Sequence, residues 1–143
     1  MPLWQIYGPV GAFTAEDKKA IAGRLTDIYV EHGHLPRFYV NVLFHEVAEE
    51  DFLIGGEPRT NFVRCFADHI ARHMEPGIRQ AAMKLFESAF TPFVEERGLD
   101  WEIHIDLTPM DLWQIQGFTP PPEESDAERL WGRENRALEY DTL

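Results

Sequence analysis

The chain has 143 residues, 44% of them hydrophobic and 13% aromatic, which suits one folded domain and excludes both a disordered composition and a two-domain layout. A formal net charge of −12 excludes a nucleic-acid or anionic-membrane surface, since both need clustered Lys and Arg, yet it leaves room for a local arginine site. Cys65 is the single cysteine, so no intramolecular disulfide is available, and a cytoplasmic, reducing compartment is expected. Set in the apolar run Phe62-Val63-Arg64-Cys65-Phe66, the thiol reads as a packed core residue rather than a nucleophile. No apolar stretch has the length of a membrane span, and the first residues do not read as a signal peptide.

In chain order, residues 3–7 form a short strand candidate closed by the breakers Gly8-Pro9-Val10-Gly11. Thr14 is placed as a helix N-cap, with Asp17 three residues on, where its carboxylate can bond back. Ile21, Leu25, Ile28 and Tyr29 then recur at helical spacing, and Gly33 followed by Pro36 supplies the stop. Residues 38–47 read as a second strand, ending in Glu49-Glu50-Asp51. After the turn residues Gly55-Gly56-Glu57-Pro58-Arg59 the pattern restarts with a strand at 62–67. Pro76 opens a second helix whose stripe is Ile78, Ala82, Leu85, Phe86, Ala89 and Phe93, with Pro92 disturbing its last turn and Gly98 as cap. The alternating run 101–106 is the last strand.

Two successive β-α-β units predict an α+β fold with two layers, a four-stranded sheet carrying both helices on one face. The main domain spans 1–118, with repeat halves at 1–55 and 56–108. Strand edges left open in so small a sheet predict an oligomer. Residues 119–143 form a Pro-rich linker and an acidic arm, and Leu130, Trp131 and Leu138 favour its docking on another chain.

The chemistry begins at Pro2. Removal of Met1 exposes a secondary amine on a rigid ring, and an α-amino group titrates near pH ~8 in model peptides, lower beside apolar walls or cations. Such an amine can take or give a proton at carbon. His69 and His73 have the i, i+4 spacing of a helical metal pair, and Glu102, His104 and Asp106 alternate on one strand face. Neither set has the fuller context of a zinc enzyme, so no metal is assigned. His32 and His34 read as cations at a helix end.

The stretches Met1-Pro2-Leu3-Trp4, Leu25-Thr26-Asp27, Phe44-His45-Glu46, Phe52-Leu53-Ile54-Gly55-Gly56 and Asn61-Phe62-Val63-Arg64 resemble the tautomerase superfamily, in its cis-3-chloroacrylic acid dehalogenase-like branch. Asp68-His69-Ile70-Ala71-Arg72, Trp101-Glu102-Ile103-His104-Ile105 and Gly117-Phe118-Thr119-Pro120-Pro121 continue the likeness over nearly the whole chain. The resemblance implies a homotrimer without metal or organic cofactor, whose pocket around Pro2 takes small α-keto or unsaturated carboxylic acids. It implies Pro2 as proton carrier and Arg72 as the clamp on the substrate carboxylate, by a bidentate pair. Asn61 and His69 are further pocket candidates. Three departures stand out: one arginine where the dehalogenases carry two, Tyr29 in place of their first-helix histidine, and Gln114 nearest the place of their water-activating glutamate. An amide orients water but cannot take its proton, so cofactor-independent keto–enol tautomerisation is the expected activity. The alternatives are a weak dehalogenase or hydratase, or a catalytically decayed module binding a protein partner.

Overall fold

Strict alternation in two central strands sets the layers. In the computed structural model, which describes residues 1–141, strands β1 (Leu3–Pro9) and β5 (Phe62–His69) lie antiparallel, with Trp4 opposite Ala67 and Ile6 opposite Cys65. Those four side chains are buried on one sheet face, under the helices. Positions 142 and 143 of the predicted arm lie outside the described residues.

Helix α1 (Ala15–Gly33) leads to β2 (Asn41–Val47), which pairs parallel to β1. Helix α2 (Arg79–Phe90) leads to β6 (Asp100–Leu107), parallel to β5, so the sheet order is β2-β1-β5-β6. A two-stranded hairpin, β3 (Leu53–Ile54) and β4 (Glu57–Pro58), joins the halves. Its Gly55 and Gly56 have φ of 62° and 87°, the left-handed pair that such a tight turn needs. The fold is the predicted two-layer α+β repeat.

The capping box forms as read: Asp17 N–H donates to Thr14 Oγ1 at 3.1 Å, and Thr14 N–H donates to the Asp17 carboxylate at 2.9 Å. Helix α1 buries Ile21, Leu25 and Tyr29, and α2 buries Phe86, Ala89 and Phe90. The Trp4 ring packs on Phe86 and Phe90, at 5.1 and 5.6 Å between centroids.

Several expectations need correction. Helix α2 stops at Phe90 ahead of Pro92, so Phe93 lies beyond it, and Ile78 precedes its first turn and stays 54% exposed. The second strand starts at Asn41, because residues Arg37–Tyr39 coil into a 3-10 turn that buries Tyr39 against Trp113 and Trp131. Gly33 is the last residue of α1 and His34 takes the left-handed cap, φ 55°. A Cβ at position 33 would lie 2.8 Å from Leu35 Cδ1, so a larger residue there would require the Leu35 side chain to shift.

The acidic arm packs on its own chain, with Trp131 against Phe38 and Tyr39. Ser125 caps α3 (Asp126–Glu134), whose Trp131 is fully buried and donates its indole N–H to Leu138 O at 2.8 Å. Trp131 and Glu128 find apolar and cationic partners within reach of the same chain.

Among the described residues, the other sheet face carries no helix. Across it the rings of His45, Tyr7, Phe66 and His104 stack in a row, at successive centroid distances of 4.4, 6.0 and 5.1 Å. Among the described residues, no helix is long and apolar enough to cross a membrane.

Candidate active site

The antiparallel register that pairs Leu3 with Asp68 places Pro2 opposite His69 when carried one step further. Pro2 is fully buried on the helix side of the sheet, and its carbonyl accepts from Asn41 N–H at 2.9 Å. The apolar stripe of α1 brings Tyr29 to the same end. Trp4 Nε1 lies 3.3 Å from Tyr29 Oη, Tyr29 Oη lies 3.3 Å from His69 Nδ1, and His69 Nε2 lies 2.9 Å from Arg72 O.

This chain of hydrogen bonds has one direction. A carbonyl oxygen only accepts, so His69 Nε2 carries the proton. In a neutral imidazole Nδ1 then accepts from the Tyr29 hydroxyl, whose oxygen accepts from the Trp4 indole N–H. Burial holds the His69 pKa below its ordinary value, outweighing the bond to Arg72 O and keeping the ring neutral. The same cause pushes the Tyr29 phenol up, so it keeps its proton. The amino group of Met1 shares this dehydrated environment, and burial lowers its pKa from 8.0 to about 4.

A cavity of about 240 Å³ opens beside these groups. Its polar lining is Tyr29, Arg72, the histidines His32, His34, His69 and His73, and the carboxylates Glu123 and Glu124; its apolar lining includes Ile28, Leu35, Met74, Leu85 and Phe86. The exposed Ile78 also lines it.

The family described as "Putative oxalocrotonate tautomerase enzyme" (Tautomerase_3) matches residues 1–136. The chain belongs to this tautomerase family. RhCC from Rhodococcus jostii RHA1 shares 51% identity with this tautomerase over 96% of this chain and 99% of that one, with a TM-score of 0.93. AU4130 from the thermophilic fungus Aspergillus fumigatus, described as a probable enzyme, shares 40% over 98% of each chain, with a TM-score of 0.91. N1, a member of the cis-3-chloroacrylic acid dehalogenase family, shares the fold at 18% identity, covering 90% of this chain and 89% of that one, with a TM-score of 0.70. No curated protein sequence matches this tautomerase.

Of the predicted site residues, Tyr29, His69 and Arg72 line the cavity, while Pro2, buried opposite His69 in the sheet, is not among its lining residues. Arg72, however, has every donor engaged. Its Nε donates to Gly33 O at 2.7 Å, and Nη1 to Ala71 O at 2.7 Å and Glu128 Oε2 at 3.1 Å. Nη2 donates to His34 O at 3.2 Å and Glu128 Oε1 at 2.6 Å. Five acceptors thus meet the five N–H groups of a guanidinium. Ala71, at φ 80°, turns the chain after β5 so that Arg72 meets the last carbonyls of α1, which end the helix with partial negative charge. The expected clamp on a substrate carboxylate is occupied from within.

Asn61 stands at the far end of β5 from His69, bonded to Arg59 and Asp100 at 3.2 Å each. Gln114 is exposed in the stretch after β6 and does not line the cavity. His73 does not share a helix with His69: the chain leaves β5 in a turn, and His73 pairs with Glu75 at 3.0 Å. Residues Arg64, Glu102, His104 and Asp106 form a polar group on the open sheet face. Among the described residues no three His, Cys, Asp or Glu are grouped to hold a metal ion.

Trp4 and Glu128 were missed from sequence. The alternation in β1 signals a buried Trp4 but not the role of its indole N–H. Ser125-Asp126-Ala127-Glu128 reads as a capping box, in which the glutamate would return to Ser125. Its carboxylate instead meets Arg72 and the Glu124 N–H, the latter at 3.0 Å.

Proposed function

We propose that this tautomerase interconverts the keto and enol forms of a small carbonyl compound, with the freed amine of Pro2 carrying the proton. The observation that carries this reading is the dehydrated environment of the amino terminus, where burial holds the Met1 amine at about 4. Excision of Met1 would leave a secondary amine one residue along the same wall, opposite His69. Dehydration disfavours its ammonium form, so at neutral pH it stands ready as a base.

The amine takes the proton from the α-carbon, and the ammonium so formed delivers it to the carbonyl oxygen, leaving the enol and the free amine. Tyr29 and His69 stay neutral and hold the reacting oxygen's surroundings in place. The chemistry needs an α-hydrogen next to a carbonyl; α-keto acids, which the sequence resemblance implies, are one such class. Hydrolytic dehalogenation is less well served, because Gln114 lies outside the cavity. A lone buried thiol at Cys65 suits a cytoplasmic setting.

The test joins intact mass to kinetics. Protein shown by mass to begin at Pro2 should ketonise an aryl enol with a pH–rate limb set by an amine titrating below the ordinary value. Acylating that amine should cost on the order of 10²–10⁴-fold with the fold intact. Pro2→Ala keeps a primary amine and should lose only part of the rate. Full activity in a chain that retains Met1 would overturn the mechanism.

A further inference from the structure

The cavity beside His69 has one arginine, no lysine and four histidines, His32, His34, His69 and His73, in its lining, among the described residues. That arginine offers nothing to an incoming anion, since its five N–H groups already face five oxygens. Two of the oxygens belong to Glu128, which is 2% exposed and gripped as a bidentate carboxylate, the geometry in which a bound acid would be held. Glu123 approaches the same guanidinium at 3.5 Å, and Glu123 and Glu124 both line the cavity. Three carboxylates therefore stand around one arginine. The opposite wall is aliphatic and aromatic, and Ile78, at 54% exposed, extends it to the mouth.

We infer that this cavity selects uncharged carbonyl compounds with an apolar substituent, and that Glu128, seated in the arginine's anion site, is the residue that excludes carboxylic acids. The inference rests on the proton-transfer reading for its chemistry, while its binding geometry stands apart from it. A carboxylate entering here gives up its water, finds no free arginine donor, meets Glu123 and Glu124 of like charge, and has only the imidazoles of His32, His34 and His73 left as donors. A neutral ketone or aldehyde loses far less on leaving water and gains the apolar wall. Exclusion by an internal carboxylate is specificity through a repulsive element, not through a better fit.

The experiment uses the full chain and two unreactive ligands of one shape, 3-phenylpropanamide and 3-phenylpropanoate, titrated calorimetrically at about pH 8, where imidazole is neutral. The amide should bind the unmodified protein about tenfold tighter or more. In Glu128→Gln, which keeps the side chain's size but frees guanidinium charge, the preference should shift toward the acid by about tenfold. A purely structural role for Glu128 would weaken both ligands alike and leave their ratio unmoved. Tighter binding of the acid by the unmodified protein overturns the inference, as does the absence of binding by either ligand. An unchanged ratio in folded Glu128→Gln overturns it too, and if that variant does not fold, the unmodified protein still decides. Turnover separates the two readings: methyl phenylpyruvate should exceed phenylpyruvate in kcat/KM. Activity with the acid preferred sinks this inference alone, whereas the predicted binding without turnover of either sinks the Pro2 mechanism alone.

Discussion

Tyr29 joins Trp4 and His69 through one hydroxyl. It accepts from the Trp4 indole and donates to His69 Nδ1, so its proton fixes the imidazole tautomer and leaves Nε2–H for Arg72 O. Tyr29→Phe keeps the ring that packs on Phe86 at 5.3 Å but strands a buried donor and a buried acceptor together. The expected loss is about 1–3 kcal/mol, read as a lower urea midpoint at unchanged m-value. An unaltered midpoint would show that the directional chain is not formed in solution. Sequence placed Tyr29 and His69 near the chemistry through the resemblance, and it placed Arg72 there as well. What it could not show is that Arg72 is saturated, since a hydrogen-bond count needs the acceptors, and those come from Gly33, His34, Ala71 and Glu128. The sequence distance between Arg72 and Glu128 hides their contact.

At the scale of elements, α1 is held at its start by a carboxylate with two duties. Asp17 closes the capping box with Thr14 and also receives both terminal nitrogens of Arg97 at 2.9 Å, tying the helix to the turn before β6. Hydrogen bonds from Arg97, then from the Thr14 backbone, hold the Asp17 carboxyl well below the usual carboxylate range. A lowered folded value means that the contribution is whole above the unfolded value of about 3.9 and lost as pH falls through the folded one. Thermal melts of Asp17→Asn against the unmodified protein should therefore differ most at neutral pH and converge in strong acid. A gap independent of pH would exclude the ionised carboxylate as its source. The capping box was legible in sequence because it is local, whereas Arg97 is not. Locality also explains the misreadings: His69 to His73 has helical spacing, yet the neighbouring strands draw His69 into β5 and Ala71 turns the chain out of it.

The whole molecule leaves one sheet face and two strand edges open. A row of stacked rings from His45 to His104 crosses that face, and β2 and β6 are the unpaired edges. Such surface favours assembly. The homotrimer that the sequence resemblance implies is open to test: sedimentation should give a species near three times 16.6 kDa, and Phe66→Glu, which sets a charge into the middle of the ring row, should shift it toward the single chain. A monomer at micromolar concentration would remove the proposal. The sequence by itself determined the β-α-β repeat, the buried stripe of α1 and the burial of Cys65, because hydrophobic period and capping are properties of neighbours along the chain. Only the tertiary structure decided where the arm lies, that Glu128 fills the seat of Arg72, and that Gln114 and Asn61 stand away from the cavity. Those are pairings between groups far apart in sequence, chosen by which buried charges and carbonyls come within reach once the layers close.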